Sequence, residues 1–178
     1  MYNYYGIRHK VFISFYHRDD QGYKNYIDQY LSGNIINKSV MNGEYSTENS
    51  DEYIKRLIRE EKISDSSVVV VLVGQNTKYR KHVDWEIYAA LRPSINGNSG
   101  LVGILLPTVR KASNGGYYYS DMPARLADNI ISGYADFYDW SYAISHFDEI
   151  IEKAYRNRVI RRGLIDNSRL QMQRNTEV

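Results

Sequence analysis

Two periods of hydrophobic and polar residues alternate along this chain. Short runs that are apolar on both faces separate stretches whose apolar residues recur every three or four positions. That is the pattern of parallel strands joined by amphipathic helices. Residues 10–15 (KVFISF) read as a first strand. Tyr23, Tyr26, Ile27, Tyr30 and Leu31 then mark one helical face. Residues 35–41 form a weaker strand that ends at the turn signal Asn42-Gly43. Ser50 is placed to cap a second helix, with Asp51 and Glu52 in its first turn and Ile54, Leu57 and Ile58 as its stripe.

Residues 67–73 (SVVVVLV) are the strongest element, a central strand by β-branched density. Gly74 ends it, and Thr77 is placed to cap a helix over residues 78–91, closed by Pro93. A fourth strand over 101–106, a polar loop over 109–122, a short helix over 123–130 and an edge strand over 134–138 follow. A last helix spans 142–162, and the polar tail after Gly163 is expected to fray. The division is one domain over residues 1–163 and a C-terminal tail over 164–178.

Five strands alternating with helices predict an α/β, flavodoxin-like, three-layer fold with a parallel sheet of order 2-1-3-4-5. In that order the topological switch lies between strands one and three, where ligands bind beyond the carboxyl ends. The crevice is then walled by the turn after VFISF and by Gly74-Gln75-Asn76 with the helix that follows.

Composition narrows the chemistry. The chain has 178 residues and no cysteine, which removes disulfides, thiolate nucleophiles and cysteine-bound metals. The net charge of +2 is too small to argue for nucleic acid, and no apolar run approaches the ~20 residues of a membrane helix. The N-terminal MYNYYGIRHK lacks the apolar core of a secretion signal, so a cytoplasmic location is the expectation, without membrane or nucleic-acid partners. The 18 tyrosines are scattered and read as compositional bias or as surface for planar ligands.

Several reaction classes lack their residues. No GxSxG elbow, GxxxxGK[ST] loop or GxGxxG turn is present. His9, His17, His82 and His146 show no metal-ligand spacing, so no metal is expected. The third strand ends Val73-Gly74-Gln75, without the aspartate a phosphoacceptor fold requires. What remains is Glu86, at the edge of its helix stripe with His82 one turn before it. By itself such a glutamate reads more readily as a solvated helix face than as a catalytic group.

The strand-one motif FxSFxxxD (Phe12, Ser14, Phe15, Asp19) and the helix segment RxxVxxEI (Arg80, Val83, Glu86, Ile87) together resemble TIR domains, in particular the TIR-like proteins of bacterial Thoeris antiphage systems. The resemblance spans roughly residues 8–140. It implies cleavage of NAD, as substrate rather than cofactor, at the bond joining nicotinamide to ribose, with Glu86 as the catalytic carboxylate. Ser14, Phe15, Tyr16, Asp19, Asn76, His82 and Trp85 are the implied substrate contacts or supports. Within them, Phe15, Tyr16 and Trp85 would stack on the rings, while Ser14 and Asp19 shape the turn. His82 stands where many TIR enzymes carry tryptophan.

The implied product is a cyclic ADP-ribose-type signal that acts on a separate effector protein. Implied partners also include self-association or other TIR domains. The alternative is a non-catalytic TIR-like assembly module, which would keep its assembly after Glu86→Gln. A nucleic-acid role for Arg156, Arg158, Arg161 and Arg162 ranks last, since cations at a helix end favour its dipole.

Overall fold

The computed structural model describes residues 8–37, 49–94 and 96–176. Its elements are β1 (His9–Ser14), α1 (His17–Tyr26), β2 (Ile35–Asn37), α2 (Asp51–Leu57), β3 (Val68–Val73), α3 (Lys81–Leu91), β4 (Gly100–Leu105), α4 (Ala124–Ile131), β5 (Asp136–Asp139), α5 (Trp140–Ala143) and α6 (Phe147–Ile160). All strand pairs are parallel, in the order β2-β1-β3-β4-β5. The flavodoxin-like sheet expected from the alternation is therefore the observed one. The far end of the predicted second strand and its Asn42-Gly43 turn lie outside the described residues.

Every residue of β3 is fully buried, as its apolarity on both faces requires. Strand alternation sorts the β1 side chains into two layers. Phe12 packs with Val69, Val71 and residues of α2, α3 and α4. Val11, Ile13 and Phe15 pack with Val70, Leu72, Ile27 and residues of α5 and α6. Gly100, the first residue of β4, lies against α6: a Cβ there would stand 2.6 Å from the Ala154 carbonyl carbon.

Two boundaries differ from the sequence expectation. Ser50 does cap α2, accepting from Tyr53 N at 3.3 Å, but Thr77 does not cap α3. Its hydroxyl accepts from Gly74 N at 2.8 Å and donates to Asp20 Oδ2 at 3.1 Å. Residues Thr77–Tyr79 form a 3₁₀ turn, Arg80 is extended, and α3 begins at Lys81. The predicted last helix is two, α5 and α6, separated at residues 144–146.

The C-terminal tail is docked rather than frayed. Asn167 Nδ2 donates to Tyr88 O at 3.1 Å, Met172 N to Asp84 Oδ2 at 2.8 Å, and Thr176 N to Tyr79 O at 3.1 Å. Lys81 N donates to Asn175 Oδ1 at 2.9 Å, so the tail supplies the N-terminal cap that Arg80 does not. Beneath this strap Arg125, only 1% exposed, donates to both oxygens of Asp84, to Asn167 Oδ1 and to Leu170 O. The strap thus holds α3 from its outer side. Polar composition does not imply a loose end when backbone and amide groups find buried partners.

Candidate functional site

At the switch point, β1 and α3 meet. Ser14 is the last residue of β1 and points to the same side of the sheet as Phe12, towards α3. Its hydroxyl donates to Glu86 Oε2 at 2.5 Å. Both side chains are shut from bulk solvent, Ser14 at 1% and Glu86 at 4% exposure. A buried carboxylate held by a hydroxyl is not the solvated helix face that the isolated motif allowed. When ionised, a carboxylate held in a water-poor site exerts a stronger field on a neighbouring group than it would in bulk solvent.

His82 lies one turn before Glu86 on α3. Burial, with the Lys81 charge beside it, pulls its imidazole down to about 4. It is therefore neutral near pH 7 and places no second cation beside Glu86. Lys81 itself pairs with Asp51, at 2.6 Å.

The rim is built from the turn after β1 and the turn after β3. The Arg80 guanidinium sits 4.1 Å from the centre of the Tyr16 ring, and its Nε donates to Asn76 O at 3.3 Å. Asn76 Nδ2 donates to Asp19 Oδ2 at 2.7 Å. Below them Asp20 is buried, and desolvation raises its carboxyl to about 6 against the opposing Thr77 hydrogen bond. Gly74 makes this passage possible, because a Cβ there would come within 2.6 Å of Asp20 Oδ2.

Ser14, Tyr16, Asp19, Asn76, His82 and Glu86 are thus brought to one end of the sheet. Two of the expected contacts are not. Phe15 points to the opposite face, in the layer of α1 and α6, and leans on the His17 ring at 4.1 Å. The parity of β1 dictates this: if Ser14 faces α3, its neighbour cannot. Trp85 is 1% exposed and donates its indole N–H to Met172 O under the strap at 2.8 Å. One residue along a helix is a turn of about 100°, which carries its ring away from Glu86. Both are structural aromatics in this fold, and of the three only Tyr16 lies at the rim, under Arg80.

Sequence reasoning missed Arg80, Asp20 and Thr77 as parts of this site. Arg80 stood in the helix motif, but its place on the rim depends on the break before α3. Asp20 is adjacent to the motif aspartate and carried no periodic signal that it is the buried one. Among the described residues no cluster of three or more His, Asp or Glu side chains is arranged to hold a metal, and no helix is long and apolar enough to cross a membrane.

A solved structure described as the activated Roq1 resistosome directly recognizing the pathogen effector XopQ (TIR domains) is similar at 11% identity and a TM-score of 0.42, covering 89% of this chain and 85% of that chain. No curated protein matches. Residues 12–111, which contain the end of β1, β3, the rim and Glu86, match the family model described as Thoeris protein ThsB, TIR-like domain. With more than half of its length matched, the chain belongs to the ThsB TIR-like domain family.

Proposed function

We propose that this protein cleaves NAD between nicotinamide and ribose, with Glu86 as the catalytic group. The observation that carries the proposal is the buried Glu86 carboxylate held by Ser14 at the carboxyl end of β1. As the C1′–N bond breaks, nicotinamide leaves with the bonding electrons and positive charge develops on the ribose ring. A preorganised carboxylate stabilises that charge, and a departing neutral nicotinamide requires no general acid. Ser14 fixes the orientation of the carboxylate. His82, neutral at physiological pH, leaves the negative field of Glu86 undiluted.

Arg80 on the Tyr16 ring places a cation at the rim, where the pyrophosphate of the dinucleotide would pass. Attack on C1′ by water gives ADP-ribose, and attack by an adenine nitrogen of the same molecule gives a cyclic product. In this reading the product signals to a separate effector protein, and association with further TIR domains controls activity.

The test is incubation of the purified full chain with NAD, with nicotinamide and the nucleotide product identified by mass spectrometry. Glu86→Gln keeps the shape and an acceptor for Ser14 but removes the charge. It is expected to lower nicotinamide release by about 10²–10³-fold, the loss typical of a removed electrostatic stabiliser. Absence of product under every assembly condition, including phage-infected lysate, would overturn the enzyme reading in favour of an assembly module.

A further inference from the structure

On the side of α3 away from Glu86, a cleft of about 570 Å³ opens between α2, α3 and the C-terminal strap. That volume lies within the ~300–1,000 Å³ range of small-molecule sites. Four cations line it, Lys55, Arg56, Arg59 and Arg92, against one carboxylate, Glu52. Elsewhere on the surface the protein pairs its cations closely: Lys24 with Asp28, Lys78 with Asp121, Arg156 with Glu152 and Arg169 with Asp128. The cleft departs from that habit.

Glu52 bonds Lys55 at 3.3 Å, and Glu60, which stands i+4 from Arg56, bonds Arg59 at 2.8 Å instead. Among the described residues Arg56 and Arg92 have no carboxylate partner. They lie over aromatic rings lining the same cleft, Arg56 at 5.6 Å from the Tyr53 ring centre and Arg92 at 5.8 Å from that of Tyr88. Like charges gathered around a concavity repel one another. An anionic ligand removes that repulsion.

We propose that this cleft is a second binding site, for a nucleotide that carries a diphosphate. Two unpaired guanidinium groups match two phosphates, each through a planar fork of N–H donors. Tyr53, 45% exposed, offers a ring face for a base, while the Tyr88 ring is taken by Arg92 and, at 5.0 Å, by Arg125. Gln171 of the strap borders the cleft, which suits a compact ligand better than an extended polymer. Trp85 connects the site to the rest of the protein: it lines the cleft, precedes Glu86 and bonds the strap at Met172. The proposal concerns the opposite face of α3 and stands whether or not Glu86 cleaves NAD.

Calorimetric titration of the full chain with ADP, inorganic pyrophosphate and a short single-stranded oligonucleotide tests it. The expected result is saturable one-to-one binding of ADP, tighter than that of pyrophosphate and weakened by added salt. The double variant Arg56→Ala/Arg92→Ala, whose side chains are exposed and whose folding circular dichroism verifies, should weaken ADP binding about tenfold or more. Glu86→Gln should leave it unchanged. ADP binding undiminished by the double substitution, or lost instead with Arg80→Ala at the rim of the Glu86 site, overturns the assignment. Equal binding of pyrophosphate and ADP removes the base contact and overturns the nucleotide part. Binding of the oligonucleotide without ADP, or of no probe at low salt, overturns it altogether.

Discussion

Replacing Arg125 by methionine tests whether the strap and α3 form one buried unit. The guanidinium is 1% exposed, and Asp84, its partner, is 5% exposed. The substitution removes the bonds of 2.9 and 3.4 Å to the two Asp84 oxygens and those of 2.9 and 3.3 Å to Asn167 and Leu170. Asp84 keeps the Met172 N–H at 2.8 Å, too little for a charge beneath the strap. Breaking a buried ion pair from one side costs about 3–5 kcal/mol. The strap can lift and admit water to Asp84, which places the expected loss near the lower end, about 3 kcal/mol.

For a domain of this size each kcal/mol shifts Tm by about 2–4 °C, so the melting temperature should fall by roughly 6–12 °C by circular dichroism. The double variant Asp84→Asn/Arg125→Met should recover part of that loss, because no buried charge is left unpaired. Hydrogen exchange should show the Met172 amide deprotected in Arg125→Met. A Tm within about 2 °C of the parent, or two single losses that simply add in the double variant, would refute the reasoning.

Asp20 supplies a pH prediction. Its folded carboxyl titrates at about 6, above the ordinary 3.8, so the folded state holds the extra proton between those values. Stability should fall as pH rises through that window, by at most about 3 kcal/mol, and Asp20→Asn should flatten the denaturant midpoint plotted from pH 4 to pH 7. Gly100→Ala should destabilise by about 1–3 kcal/mol or more, because the added methyl meets the α6 backbone at Ala154 rather than a movable side chain; an unchanged urea midpoint would contradict the close packing of β4 on α6. Asn175→Ala removes the cap on α3 and should cost about 1 kcal/mol, read as faster amide exchange at Lys81, with Asn175→Asp retaining protection.

Much of the fold could be read locally. The run VVVVLV has no polar face, so it can only be a central strand, and the Ser50-Asp51-Glu52 start of α2 is a signal within one helical turn. Alternation of the two periods, with short connections, then leaves few topologies, and the flavodoxin-like order is the expected one. Ser14 and Glu86 were singled out by motif, yet their contact spans 72 residues and no periodicity encodes it.

What the sequence by itself determined is the five strands, their alternation with helices and the motif residues Ser14 and Glu86. Periods of two and 3.6 are properties of neighbouring residues, and burial of apolar faces follows from them. Only the tertiary structure decided which face of β1 meets α3, and so placed Ser14 beside Glu86 and turned Phe15 away. Because β1 is apolar on both sides, its alternation carries no label for either layer. Only the tertiary structure, too, showed a polar tail capping α3 and covering Asp84 and Trp85. Those bonds join single polar groups more than 80 residues apart, and hydrogen bonds of that kind leave no repeat in the chain.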